Sequence, residues 1–86
     1  MKMKYSKAEV VDRISSNLRN IREVYGCTQT EMSKKCHVNN NMYNLWENGY
    51  AMPSTLGLLA LSEGLDISID DLLKTDIDYI SLKKEK

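Results

Sequence analysis

The sequence has no phenylalanine, a single tryptophan and a single proline. A core must therefore be assembled from aliphatic side chains, methionine, tyrosine and Trp46. The lone Pro53 leaves no proline-rich linker, and four glycines with no clustered run leave no phosphate-cradling loop. One histidine, His37, with no Ser–His–Asp ordering around it, gives no basis for a catalytic or zinc site. Cys27 and Cys36 lack metal-ligand spacing and are read as reduced, buried or half-buried thiols rather than as a disulfide. No apolar run approaches the length needed to span a bilayer, and the start, MKMKYSKAEVVDR, lacks the apolar centre of a secretory signal. The expectation is a cytoplasmic protein with no membrane partner. Neither a cofactor nor a catalytic residue is expected.

Net charge is zero, which excludes binding by bulk charge alone. The charges are unevenly placed, however. Residues 1–53 carry eight Lys/Arg against five Asp/Glu, and residues 54–86 carry four against seven. One end can face phosphates while the other faces water or a partner. With 42% hydrophobic and 28% charged residues in an 86-residue chain, the composition is that of one globular domain. The division expected is a domain over 1–75 with an extended first helix, followed by a tail over 76–86 that is either dimerising or flexible.

The apolar residues recur at helical spacing, and no alternating run reads as a strand. Ser6 with Glu9 forms a capping box before a long helix whose inward face is Val10, Ile14, Leu18, Ile21 and Tyr25, closed by Gly26. Thr28 with Glu31 opens a short second helix with Met32 and Cys36 inward. His37 and Val38 make the turn, and Asn39 caps a third helix running through Met42, Tyr43 and Trp46 to about Asn48, closed by Gly49. Ser54 caps a leucine-rich fourth helix that breaks at Asp66. Ser68 with Asp71 opens a fifth that ends at Leu72 and Leu73. The expected fold is all-α with five helices. The segment after Lys74, with Ile77, Tyr79, Ile80 and Leu82, reads equally as strand, frayed helix or partner-binding segment.

Two short helices joined by a three-residue turn are the core of a helix-turn-helix, in which the second helix projects into the major groove. Ser33 provides a small residue where the two would cross. The outer face of the third helix carries Asn39, Asn40, Asn41 and Asn44. Asparagine is a poor helix former, so a helix needed only for stability would use Ala, Glu or Lys instead. An asparagine amide does pair bidentately with the N6/N7 edge of adenine. Asn39 reads first as a cap while staying among the candidate DNA contacts, and Asn40, Asn41 and Asn44 read together as base or phosphate contacts.

The runs LRNIREVYGCTQTEMSKKCHV, NNNMYNLWENGYAMPS and LSEGLDISIDDLL, from Leu18 to Leu73, resemble the phage-repressor and Cro-like (XRE) helix-turn-helix family. The TQ opening the second helix, the WENG closing the third, the Pro-Ser after the loop and the terminal DDLL carry the resemblance in their order and spacing. It implies a lambda-repressor-like fold and sequence-specific binding of double-stranded DNA by a homodimer that regulates transcription, as a repressor. In that comparison Gln29, with Thr28 beside it, stands where the family binds a phosphate and braces the recognition helix. Asn40, Asn41 and Asn44 face bases or backbone, Leu45 takes a base-facing position from which it can meet a thymine methyl, and Asn48 takes a phosphate position. Arg22 and Glu47 match a charge pair tying the first helix to the third.

The departures are informative. His37 replaces the usual glycine of the turn, and Tyr50 and Ala51 stand where relatives often carry Lys or Arg. The resemblance therefore implies low non-specific affinity and a shallow salt dependence. Leu56, Leu59 and Ala60 on the fourth helix read either as part of a dimer contact or as core and scattered surface residues. The alternative to DNA binding is a helix-turn-helix protein-interaction module, such as an antitoxin or the partner of an effector. The carboxylates Asp70, Asp71, Asp76 and Asp78 read as capping and solvated residues rather than as a metal site.

Overall fold

The computed structural model describes residues 4–74, and the tail discussed above lies outside them. Among the described residues the fold is five helices without a strand: α1 Lys7–Tyr25, α2 Gln29–Lys35, α3 Asn40–Glu47, α4 Thr55–Leu65 and α5 Ile69–Lys74. Each start is set by a side chain that takes up an otherwise unpaired backbone N–H. Ser6, Thr28 and Ser54 accept from the amides of Glu9, Glu31 and Gly57, and Asn39 accepts from Asn41 and Met42. Ser68 accepts from Asp71 at the head of α5. At Thr28 the capping box is complete. At Ser6 the Glu9 carboxylate instead accepts from the serine hydroxyl, so the reciprocal bond expected from the sequence takes a different form.

The ends are set by left-handed residues. Gly26 (φ 65°) closes α1, Asp66 (φ 55°) closes α4, and His37 (φ 58°) turns the chain between α2 and α3. His37 thus adopts the backbone conformation that the family's glycine adopts freely. No helix among the described residues is long and apolar enough to cross a membrane.

Packing runs around α1, which lies against both α3 and α5 while α2 packs on α3 and α4 on α5. Ile14, Leu18 and Ile21 from α1 meet Met32 from α2 and Cys36 just past its end. Tyr43, Trp46, Leu61, Leu65 and Leu72 complete the cluster. The first three turns of α1 are anchored by polar bonds as well: the buried Asn17 amide donates to the Leu72 carbonyl at 2.9 Å, and Arg13 donates to that of Lys74. Tyr25 departs from the sequence expectation, being 42% exposed. As an amphipathic ring on the last turn, it sets its hydroxyl on the Leu65 carbonyl and its face under the Lys35 ammonium at 4.8 Å. Both thiols are free, and burial raises that of Cys36 to about 11, which leaves it unreactive near neutrality.

One close approach decides how α4 sits against the turn that launches α3. A Cβ on Gly64 would lie 2.7 Å from the Cys36 Cα and 2.8 Å from its sulfur. Backbone cannot step aside as a flexible side chain can. Gly64→Ala is therefore expected to lower stability by about 1–3 kcal/mol through overpacking, even though alanine gains about 1 kcal/mol in helix propensity. Urea denaturation followed by circular dichroism measures this, and an increase in stability would show that the contact is not tight.

Candidate nucleic-acid interface

α3 is held from behind by a buried carboxylate. Glu47, in its last turn, is 1% exposed. Arg22 of α1 grips it with Nε at 2.9 and 3.0 Å from the two oxygens and Nη2 at 2.8 Å from Oε1, while Nη1 donates to the Cys27 carbonyl at 3.2 Å. Burial alone would raise the Glu47 pKa. Hydrogen bonding from Arg22, then from Tyr43 and Gln29, outweighs it and holds the carboxyl below its ordinary value. The Tyr43 hydroxyl lies near enough to share in this without meeting regular hydrogen-bond geometry. Hydrogen bonding to Glu47 likewise raises the Arg22 pKa against the opposing effect of burial. Residues from α1, α2 and α3 thus converge on one charge.

The opposite side of α3 faces out. Asn40, Asn41, Leu45 and Asn48 are exposed together, so the structure brings these four expected contacts onto one surface. Asn44 falls between Asn40 and Asn48 at helical spacing but is half-buried, with its amide oxygen turned inward and unpartnered. Asn39 and Thr28 are exposed, but each commits its side-chain oxygen to a helix cap. Gln29 is half-buried beside the ion pair.

Two residues join the site that the sequence did not single out. Met42, grouped with Tyr43 and Trp46 on sequence, is 43% exposed. At about 100° per residue it falls about 60° from Leu45, a signal that was available in the sequence. Arg19 is exposed and donates from Nη1 to the Glu47 carbonyl at 3.0 Å and to the Ser15 hydroxyl at 2.9 Å. It places a cation at the C-terminal end of α3, where the helix dipole is negative and where Asn48 lies next in the chain. Ser15 also donates to the Glu47 carbonyl. Nothing local in the sequence links positions 15, 19 and 47.

The ion pair has consequences for stability. Arg22→Ala leaves the Glu47 charge buried and is expected to cost about 3 kcal/mol, the low end of the range for an orphaned buried charge, since Gln29 and Tyr43 remain. Because the folded-state pKa of Glu47 is depressed, its stabilising contribution is full above the unfolded carboxylate value. It is lost as pH falls from that value, about 4.3, through the lower folded one. Urea midpoints measured from pH 7 down to pH 3 should fall less steeply for Glu47→Gln than for the wild type. Parallel curves would show that Glu47 is not depressed.

The helix-turn-helix family profile matches residues 18–72, beginning midway along α1 and ending in α5. The chain is similar to the cryptic phage CTXphi transcriptional repressor RstR of Vibrio cholerae serotype O1, with 30% identity over 60 residues, 70% of this chain and 54% of that protein. It is also similar to the HTH-type transcriptional regulator ImmR of Bacillus subtilis strain 168, with 35% identity over 72 residues, 84% of this chain and 55% of that protein. The chain thus spans about half the length of these curated relatives. No solved structure matches it. With the five-helix order, the braced third helix and the matched residues in agreement, the chain belongs to the XRE family of helix-turn-helix proteins.

Proposed function

We propose that this protein binds double-stranded DNA in a sequence-specific manner, with α3 in the major groove, and regulates transcription as a repressor. The observation that carries the reading is the outer face of α3, where Asn40, Asn41, Leu45 and Asn48 are exposed on a helix fixed from behind by the Arg22–Glu47 pair. Exposed amides on the first turn of a groove-entering helix are the groups that discriminate adenine. Asn48 and Gln29 flank them as phosphate contacts, with Arg19 as a further cation at the end of α3. The names of both relatives, a transcriptional repressor and a transcriptional regulator, support the same function.

The functional unit in this reading is a homodimer. A module this small contacts few phosphates, and pairing on a two-fold site raises both affinity and specificity. Leu56 at 77% and Leu59 at 45% exposure form the apolar part of α4 that the core leaves uncovered, and they are the residues assigned to the contact. Cytoplasmic action, with no catalytic role, completes the proposal.

A second reading, a protein-interaction module, draws on the zero net charge and on Tyr50, which is 79% exposed where relatives often carry a cation. Selection of bound sites from a random duplex pool at low salt separates the two. The DNA reading predicts enrichment of a two-fold-repeated motif. It further predicts that Asn40→Ala with Asn41→Ala reduces discrimination between the selected and a scrambled duplex about 10- to 100-fold per bidentate pair lost, with the helical content unchanged. No enriched motif, together with co-purification of a protein partner, would replace it with the second reading.

A further inference from the structure

Residues 7–17 of α1 precede the stretch that the family profile matches, and they border a groove on each of two sides. On one side Tyr5, Val10 and Arg13 meet Leu73 and Lys74 at the end of α5. Arg13 donates to the Lys74 carbonyl, so the point from which the chain leaves α5 is fixed. On the other side a groove of about 460 Å³ lies between α1 and the loop that follows α3. Ala8 and Val11 supply one wall and Tyr50 and Met52 the other, with the charges of Lys7 and Asp12 along it. Val11 and Met52 are only half-buried and Tyr50 is 79% exposed, so apolar surface in this groove has no cover among the described residues.

The chain beyond Lys74 has the matching chemistry. Ile77, Tyr79, Ile80 and Leu82 fall within six residues, which is not the composition of a segment that stays solvated. At about 100° per residue the two grooves lie on nearly opposite sides of α1, roughly 17 Å apart around a helix about 10–12 Å wide. A chain leaving Lys74 spans that distance in about five or six residues. We propose that residues 77–82 strap across the start of α1 and seat Ile80 and Leu82 of the same chain in the groove between Val11 and Met52. On the way Asp76 and Asp78 cross the N-terminal end of α1, where the helix dipole is positive and the exposed Lys4 and Lys7 stand. Glu9, in the same turn, is engaged with the Ser6 hydroxyl. The charges run in matching order, with Asp78 reaching Lys7 and Lys83 reaching Asp12. The strap holds the 49–52 loop against α1, and that loop is the first segment after α3.

The test uses the full chain with labelled methyl groups and reads nuclear Overhauser effects by NMR. Cross-peaks are expected from the Ile80 and Leu82 methyls to those of Val11 and Met52. They should be absent from an isotope-filtered spectrum of mixed labelled and unlabelled chains, which reports only contacts between copies. Ala8→Glu, at an exposed position on the groove wall, should lose the cross-peaks while keeping the wild-type circular dichroism spectrum. Ile80→Asp with Leu82→Asp should move the Val11 and Met52 methyl resonances and leave those of Leu18 and Leu61 in the core in place. Absence of the cross-peaks in the wild type, or cross-peaks to Leu56 and Leu59 instead, would overturn the proposal. Cross-peaks confined to the filtered spectrum would replace it with an exchange of this segment between two copies. Each outcome is read without DNA, so none of them bears on the DNA-binding reading.

Discussion

The Glu47 carboxylate is the constraint from which the rest of the interface follows. A negative charge with 1% exposure is tolerable only if its partners are in place, and those partners come from three helices. Arg22 ties α1 to α3 through both carboxylate oxygens, and the nearby Gln29 of α2 and Tyr43 of α3 help hold the carboxyl below its ordinary pKa. The carbonyl of the same residue accepts from Ser15 and Arg19, so side chain and backbone are both held. Such a pair adds little net stability over an apolar substitute, but it specifies one geometry.

What lies in front of the brace is poor in charge and rich in amides. The affinity of many DNA-binding modules rests on phosphate neutralisation, yet the loop after α3 offers Tyr50 and Ala51 instead of cations. Arg19 partly offsets this from α1, at a position where the sequence alone gives no hint. In the proposed reading, this combination favours discrimination over grip, and a two-fold assembly is the route to useful affinity. The exposed leucines of α4 lie on a different element from the outward face of α3.

The sequence carried the local features of this fold well. Helix starts at Ser6, Thr28, Asn39, Ser54 and Ser68 depend on residues within one turn of each other, and all five are used as caps. The left-handed turn at His37 was legible because a histidine stood in the place of a glycine. Less local features were harder to see. Tyr25 fits the apolar spacing of α1 but comes to rest half-exposed, because its hydroxyl finds the end of α4. In the run from Leu56 to Leu65 six of ten side chains are apolar, four of them consecutive, and periodicity cannot say that Leu61 and Leu65 are buried while Leu56 is bare. The Arg22–Glu47 pair was visible only through resemblance, since no local rule couples residues 25 positions apart. Met42 is different in kind. Its exposure followed from helical geometry, and grouping it with the core residues beside it in sequence hid its place on the outer face of α3.

The central claim is that the outer face of α3 is the surface that meets DNA. Titrating isotope-labelled protein with the selected duplex and following side-chain amide and methyl resonances by NMR tests it most directly. The account predicts the largest shifts at the amides of Asn40, Asn41 and Asn48 and at the methyl groups of Met42 and Leu45, with Ile14 and Leu72 in the core unmoved. Shifts confined to α4 or α5, with the α3 face silent, would contradict it.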